Sequence, residues 1–257
     1  LVDHDLNDDL SKELDLYDKL SDEYASYATK EESDFYLVLR DLVDLIKRFK
    51  SGNVRFEEMR AMEHGCGTGQ AMRHLKRNGL KNIVGCDINQ KMIDHARQID
   101  PDGVYLNVDS DRLPFDDEQF DFVLSCLVIL VIHSREIIQN IFSEVNRTLK
   151  RDGLFIVINT SRELYSSDRR WRFTESHMFA ENENIVSGSL IKNRIKDTDI
   201  NFEDYYWSDE DVNEWAARAG FHLVHIHSPL GVDSDSIDWK SERIASPFRI
   251  YILKKKC

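Results

Sequence analysis

The sequence EHGCGTG occupies residues 63–69. It ends a predicted strand, Arg60 to His64, and is followed by a helical pattern that begins at Gln70. Glycines between a strand and a helix allow a tight turn and let a ligand approach the backbone closely. Dinucleotide-binding turns have the spacing GxGxxG, whereas here Gln70 occupies the third position and Gly69 produces GxGxG. The segment therefore predicts a ligand site at this strand end, and its spacing argues against a nicotinamide dinucleotide.

Strand and helix patterns alternate on both sides of this turn. Strands are predicted at residues 60–64, 82–87, 104–108, 120–126 and 154–159, and helices at residues 70–78, 90–99 and 135–149. Gly79 and Gly153 are expected to close helix ends in the left-handed conformation. Two further helices, over residues 6–28 and 33–50, precede the first strand. Such alternation predicts an α/β fold, with a parallel sheet covered by helices on both faces.

The last hundred residues contain an unusual insertion. Residues 161–207 are polar, aromatic and irregular, and they are too long for a simple connection, so we expect a lid or a substrate-facing segment. Ser208 is the predicted N-cap of a helix that runs to Ala219. Strands are then predicted at residues 221–228 and 248–253. The chain is expected to form one domain, divided into a helical cap (1–52), a core (53–160), the insertion (161–207) and the C-terminal part of the sheet (208–257).

Acidic side chains follow two of the predicted strands. Asp87 ends the second strand, where a carboxylate can accept two hydrogen bonds from the hydroxyls of a ribose. The alternative for Asp87 is a helix N-cap or a first-turn aspartate of the next helix. Asp109 and Ser110 follow the third strand. Because ligands of open α/β sheets bind at the carboxyl ends of the strands, these residues indicate one shared site.

The composition is that of a globular protein with an acidic surface. The chain has 257 residues, of which 41% are hydrophobic and 32% are charged. A formal net charge of −13 opposes binding to a polyanion and argues against nucleic acid as a partner. The four cysteines have no metal-ligand spacing, and no apolar run approaches the length of a membrane span. We therefore expect a cytoplasmic protein without a bound metal; the oligomeric state stays open.

Five segments together resemble the class I S-adenosylmethionine-dependent methyltransferases, in the branch with a small-molecule-type methyltransferase domain. They are EHGCGTG, GCDIN, VDSDRLPF, FDFVLS and SEVNRTLKRDGLFIV, in this order over about residues 62–159. One departure is Lys150-Arg151-Asp152-Gly153, where the family usually has Lys-Pro-Gly-Gly, in a turn remote from the methyl group. The resemblance implies a Rossmann-like, doubly wound, seven-stranded sheet that is mostly parallel with an antiparallel last strand, and it implies S-adenosyl-L-methionine as the cofactor.

The resemblance also implies roles for single residues. Glu63 would orient the glycine turn and the amino group of the cofactor, Asp87 would hold the ribose, and Asp109 and the Ser110 amide would bind the adenine. The other residues expected at the cofactor are Gly65, Cys66, Gly67, Gly69, Ile88, Met92, Leu127, Tyr17 and Tyr24. Simple core packing is an alternative for the pair Ile88 and Met92, and an amphipathic packing face is an alternative for the two tyrosines.

The chemistry of a sulfonium methyl sets what the protein must do. The methyl group is already activated, so the protein has mainly to align a nucleophile and exclude water. His133, which follows the fourth strand, is the candidate base, with packing or capping as the alternative. The sequence thus predicts methyl transfer to an oxygen or nitrogen of a small-molecule acceptor. A protein or RNA acceptor, and an inactive cofactor-binding partner subunit, stay open as alternatives.

Overall fold

The computed structural model describes residues 26–27, 33–50, 52, 54–108 and 112–256. The helices of this part are α1 (Asp34–Leu39), α2 (Leu42–Phe49), α3 (Gln70–Arg77), α4 (Gln90–Ile99), α5 (Arg135–Thr148) and α6 (Asp209–Arg218). The strands are β1 (Arg60–His64), β2 (Asn82–Asp87), β3 (Val104–Asn107), β4 (Phe120–Cys126), β5 (Leu149–Thr160), β6 (Leu190–Arg194), β7 (Asn201–Tyr205), β8 (Phe221–His227) and β9 (Phe248–Lys255). The first predicted helix, over residues 6–28, lies almost entirely outside the described residues.

Side-chain caps start three of these helices. The side chains of Asn89, Ser134 and Ser208 each accept a hydrogen bond from a backbone amide in the first turn of α4, α5 and α6 respectively. Such caps satisfy an amide that has no partner within the helix and typically contribute about 1 kcal/mol. The N-cap predicted at Ser208 is confirmed.

Seven of the described strands form one sheet, in the order β3-β2-β1-β4-β5-β9-β8. The pairs from β3 to β5 are parallel, and β9 is antiparallel to both of its neighbours. This is the doubly wound, mostly parallel sheet with an antiparallel last strand that the family resemblance implied. His64 pairs in register with Cys86 of β2 and with Ser125 of β4, so the carboxyl ends of these three strands meet at one edge.

Two hydrophobic cores cover the two faces of this sheet. One core joins Phe122 and Leu124 of β4 to helices α1 to α4, and the other joins Val123 of β4 to helices α5 and α6. Alternate residues of one strand therefore face opposite layers, as the pleat of a strand requires. Burying each large apolar side chain stabilises the fold by about 1.5–3 kcal/mol, which explains why both cores are built from such side chains.

Two details of the predicted elements were wrong. The helix predicted over residues 33–50 is interrupted at Arg40 and Asp41, whose side chains bind each other. The Arg40 side chain also donates to Asp235 and to the Leu230 carbonyl, in the segment after β8. Strand β5 begins at Leu149, earlier than predicted, so Gly153 lies inside a strand. The left-handed residue in this region is Asp152, with φ of 58°, while Gly79 does close a helix in that conformation.

The insertion over residues 161–207 is more regular than its sequence indicated. Strands β6 and β7 pair as an antiparallel hairpin within it. Leu164, Trp171 and Ile191 belong to a small separate core beneath this hairpin. The strands were missed because charged residues such as Lys192 and Glu203 break the apolar alternation, as is common for a small surface sheet.

Within the described part of the chain, every helix is too short or too polar to cross a lipid bilayer.

Candidate functional site

A cleft opens at the carboxyl ends of β1, β2 and β4. The space inside it, including its open mouth, is about 1380 Å³. The turn after β1 forms its floor, the end of β2 forms one wall, and the segment after β4 forms the other. Phe35 of α1 also reaches the cleft, so the N-terminal cap contributes to it. Cavities at this edge of an open α/β sheet are where such folds bind nucleotides.

The glycine turn needs glycine at three positions for different reasons. Gly65, Gly67 and Gly69 have φ of 65°, 48° and 76°, values that other residues rarely adopt. A Cβ on Gly65 would collide with the side chain of Val128, and a Cβ on Gly69 would collide with the ring of Tyr105. A Cβ on Gly67 would have no atom within 4 Å. Gly67 therefore leaves open space above the backbone, where a ligand can lie directly on the turn.

Asp87 lies at the end of β2 with both carboxylate oxygens engaged by backbone amides. The amide of Gly67 donates to Oδ2 at 2.7 Å, and the amide of Asn89 donates to Oδ1 at 2.8 Å. Burial raises the pKa of Asp87, and these hydrogen bonds oppose the rise. The cap of α4 is Asn89. Asp87 is thus not the N-cap of that helix, and its remaining lone pairs are available at the cleft.

Glu63 is buried beneath the glycine turn. Its Oε2 accepts a hydrogen bond from the amide of Met72 at 2.9 Å, which ties the end of β1 to the first turns of α3. Burial raises the pKa of Glu63 to about 8, although the Met72 amide acts in the opposite direction. Because Glu63 also lines the cleft, a cation bound there would favour the ionised carboxylate.

Neutral groups surround these two acids. Burial lowers the pKa of His64 to about 4, and its buried Nδ1 has no hydrogen-bond partner among the described residues. Burial raises the pKa of Cys86 to about 12 and that of Cys66 well above its ordinary value. These thiols and this imidazole therefore carry no charge at neutral pH, and the cysteines are poor nucleophiles.

The wall after β4 is apolar and begins with a strained residue. Leu127 has φ of 56°, and its amide donates to the carbonyl of Ile158 at 2.9 Å. A leucine rarely adopts this left-handed backbone conformation, so the surrounding structure must hold Leu127 in it. Such strained residues are common at functional sites. The cleft-lining apolar residues of this wall and of α5 are Leu127, Val128, Val131, Ile132, Ile137 and Ile141.

The structure brings together eight of the residues predicted at the cofactor. The cleft is lined by Glu63, Gly65, Cys66, Gly67, Asp87, Ile88, Met92 and Leu127. Gly69 is the N-cap of α3 and packs against Tyr105 instead. Asp109, Ser110, Tyr17 and Tyr24 lie outside the described residues. The roles of all these side chains toward a ligand stay predictions.

The predicted base His133 lies next to the cleft. Its ring centroid is 6.0 Å from that of Tyr205, which in turn stacks on Trp207. The preceding residue, Ile132, is one of the described residues that line the cleft, and His133 is not one of them. No described cleft residue comes from the insertion over 161–207 either. A catalytic role for His133 and a substrate-facing role for the insertion both stay predictions.

Several cleft residues could not be identified from the sequence. Phe35 comes from a helix that precedes the sheet, and Glu144 comes from the middle of α5. Only the folded topology brings either to the cleft. The sequence did contain a signal that Leu113 and Asn89 could reach the cleft. Leu113 belongs to the segment that follows strand β3, and Asn89 belongs to the segment that follows strand β2.

Residues 62–157 match the family model described as methyltransferase domain. An N-demethylindolmycin N-methyltransferase of Streptomyces griseus is 26% identical over 175 residues, which cover 65% of this chain and 72% of that protein. A mitochondrial arginine-hydroxylase of Mus musculus, NDUFAF5, is 25% identical over 177 residues, 69% of this chain but 44% of that protein. The range matched by the family model therefore includes the cleft residues at the carboxyl ends of β1, β2 and β4.

The same fold occurs in a chain of the complex between the Haloferax volcanii Trm112 methyltransferase activator and a methyltransferase. The TM-score is 0.64 at 19% identity, with 94% of this chain and 98% of that chain covered. This similarity supports the fold alone, and the family model supports the site at the glycine turn.

Proposed function

Through residues 62–157 the chain belongs to the class I S-adenosylmethionine-dependent methyltransferases, and we propose that it transfers a methyl group to an oxygen or nitrogen of a small, largely apolar acceptor. The enzyme class and the cofactor follow from the family. The acceptor class is the new element, and the composition of the cleft supports it.

The described residues fit the cofactor. Open space above Gly67 accommodates a ligand on the turn, and Asp87 presents a carboxylate with free lone pairs at the end of β2. When bound, S-adenosylmethionine supplies an electrophilic methyl group on a sulfonium. Asp87 would hold the ribose hydroxyls, Glu63 would face the amino group, and Asp109 with the Ser110 amide would bind the adenine. Leu127 would pack beside the sulfur and exclude water.

The observation that carries the acceptor class is the character of the cleft wall. Its described lining contains six apolar residues between Leu127 and Ile141 and the acids Glu63, Asp87 and Glu144, but neither lysine nor arginine. An anionic acceptor would find no opposite charge there, and a polyanion would also meet the net charge of −13. A compact apolar acceptor matches the wall best. The Streptomyces griseus relative, whose name gives an N-methyltransferase of a small molecule, agrees with this class.

The test uses isotope-labelled S-adenosylmethionine with a pooled metabolite extract, followed by mass detection of products heavier by one methyl group. We expect label in small apolar products and no label in an Asp87→Ala sample. Asp94→Ala is the matched control, because Asp94 is exposed on α4 and its side chain bonds Gln90 of the same helix.

We expect Asp87→Ala to weaken binding of S-adenosylhomocysteine at least about 100-fold, since it removes a charged acceptor of two hydrogen bonds. Titration calorimetry measures this, and circular dichroism checks the fold. Wild-type affinity in Asp87→Ala would contradict the ribose assignment. Label in the protein fraction of the extract would favour a macromolecular acceptor, and cofactor binding without any labelled product would favour an inactive partner subunit.

A further inference from the structure

The cleft lies between the two hydrophobic cores of the sheet, and Phe35 of α1 lies on one side of it. Phe35 belongs to the core that covers helices α1 to α4, and Leu127 packs against the same core. Ile132 and Ile141 also line the cleft, but they belong to the core of helices α5 and α6. Phe35 therefore lies on the same side as Leu127, the residue that is proposed to pack beside the sulfur of the cofactor.

Phe35 gives this side of the cleft an aromatic ring. Among the described residues that line the cleft, it is the only phenylalanine, tyrosine or tryptophan. The face of an aromatic ring attracts a cation, and the attraction is stronger where water is excluded. S-adenosylmethionine carries a positive charge on its sulfur, whereas S-adenosylhomocysteine is neutral there. A ring held near the sulfur would therefore favour the charged cofactor over its neutral product.

Helix α1 is fastened at the residue next to Phe35. The hydroxyl of Tyr36 donates to Oδ1 of Asp235 at 3.2 Å, and Nη1 of Arg40 donates to Oδ2 of the same carboxylate at 2.9 Å. Arg40 caps the end of α1 in helical conformation, so Tyr36 and Arg40, four residues apart, lie on one face of the helix. Because Phe35 directly precedes Tyr36, the two hydrogen bonds also fix the direction of the Phe35 side chain.

Asp235 is itself held firmly in the segment after β8. The amide of Val232 and Nε1 of Trp239 donate to its Oδ2 at 3.0 and 2.7 Å. Burial raises the pKa of Asp235, but these hydrogen bonds and the charge of Arg40 outweigh it and hold the pKa below its ordinary value. Asp235 is therefore ionised at neutral pH. Trp239 is buried in the same core as Phe35, so this segment and α1 form one packed unit.

Helix α2 has anchors that do not depend on Asp235. Nε2 of His227 lies 2.8 Å from Oδ2 of Asp41, the residue that precedes α2. Leu42 and Ile46 of α2 are fully buried in the core. Loss of the Asp235 carboxylate should therefore shift α1 while α2 and the rest of the fold persist.

We propose that Asp235 is a positioning residue for the cofactor: through Tyr36 and Arg40 it holds α1 where the Phe35 ring faces the positively charged sulfur. This rests on the proposed function, which puts the sulfur beside Leu127. Phe35 contacts the cofactor in this arrangement, whereas Asp235 acts only through α1. The segment after β8 thereby contributes to the choice of the charged cofactor over its neutral product.

The experiment measures by titration calorimetry how the full chain binds S-adenosylmethionine and S-adenosylhomocysteine, which differ by one methyl group and one positive charge. We expect Phe35→Leu to raise the Kd for S-adenosylmethionine about tenfold and the Kd for S-adenosylhomocysteine less than about twofold, because leucine keeps an apolar side chain but has no ring. Phe35→Tyr keeps the ring and should keep the wild-type preference.

The positioning role is tested in both backgrounds. Asp235→Asn should raise the Kd for S-adenosylmethionine about threefold, and it should have no further effect in a Phe35→Leu protein, because its action depends on the ring. Asp233→Asn is the matched control, since it makes the same chemical change in the same segment at a carboxylate that is 91% exposed. It should leave both Kd values unchanged.

A merely structural role of Asp235 would lower the melting temperature and leave the preference for the charged cofactor unchanged, and that result would overturn the proposal. An equal effect of Asp235→Asn with and without the Phe35 ring would overturn it as well. If Asp235→Asn or Phe35→Leu does not fold, Tyr36→Phe, which removes one hydrogen bond to Asp235, and Phe35→Met serve instead under the same criteria.

The two proposals fail in different ways. Absence of wild-type binding to both probes would contradict the proposed function. Wild-type binding that is sensitive to Asp87→Ala but not to Phe35→Leu would contradict this inference alone.

Discussion

Glu63 shows how a single buried carboxyl links the cleft to stability. Its pKa of about 8 in the folded chain exceeds the value of about 4.3 expected when the chain unfolds. Between those pH values the folded protein holds a proton that the unfolded chain has released. The contribution of this carboxyl group to the free energy of unfolding therefore falls as the pH rises from about 4.3 to 8.

We expect Glu63→Gln to flatten this pH dependence, because an amide does not titrate. Urea unfolding of the ligand-free protein at several pH values between 5 and 8 measures the slope. Glu58→Gln is the control, since Glu58 is exposed and pairs only with Arg55 among its described side-chain contacts. An equal slope in wild type and Glu63→Gln would show that the carboxyl is ionised throughout.

At the scale of the elements, the turn between β1 and α3 needs glycine for two reasons: Gly65 avoids a collision within the protein, and Gly67 leaves space for a ligand. Gly65→Ala would meet the left-handed penalty of about 1–2 kcal/mol and a collision with Val128, so we expect a loss of about 2–4 kcal/mol in the free energy of unfolding. In Gly67→Ala the added methyl group lies in open space. This variant should therefore lose only the free energy that the left-handed backbone conformation costs. Its binding of S-adenosylhomocysteine should nevertheless weaken about tenfold or more, because the methyl group occupies ligand space.

Gly220→Ala provides the reference for the backbone penalty. Gly220 has φ of 88°, and an added Cβ would meet only Asn146, at 3.5 Å. Urea unfolding and calorimetry on the three variants separate stability from binding. Equal binding by Gly67→Ala and wild type would mean that the ligand does not lie on this turn.

The sequence was sufficient for the elements that have a clear apolar pattern. Strands β1, β2 and β4 and helix α4 have the bounds that were predicted, because their apolar periodicity is clear. The hairpin β6–β7 escaped prediction, since its strands are short and charged. In the cleft, residues next to the glycine turn were predictable, whereas Phe35 and Glu144 arrive from distant elements through tertiary packing.

On the scale of the whole molecule, Asp235 joins the N-terminal cap to the C-terminal half. It accepts hydrogen bonds from Tyr36, Arg40 and Trp239 at 3.2, 2.9 and 2.7 Å, and its side chain is 3% exposed. We expect Asp235→Asn to lower the free energy of unfolding by about 1–3 kcal/mol, because buried donors lose a charged acceptor.

Thermal and urea unfolding measure the effect of Asp235→Asn. The control is Asp233→Asn, whose side chain is 91% exposed and which should change stability by no more than about 0.5 kcal/mol. Similar values for the two variants would show that the hydrogen bonds to Asp235 add no stability.

Strand β9 follows β8 along the chain, yet in the sheet it lies between β5 and β8. During synthesis, β8 therefore emerges from the ribosome before the strand that must separate it from β5. One apolar edge of β5 therefore has no strand to pair with until residues 248–255 have been synthesised. Until then the apolar edge of β5 is exposed in the nascent chain, and an unpaired strand edge of this kind is prone to pair with other chains.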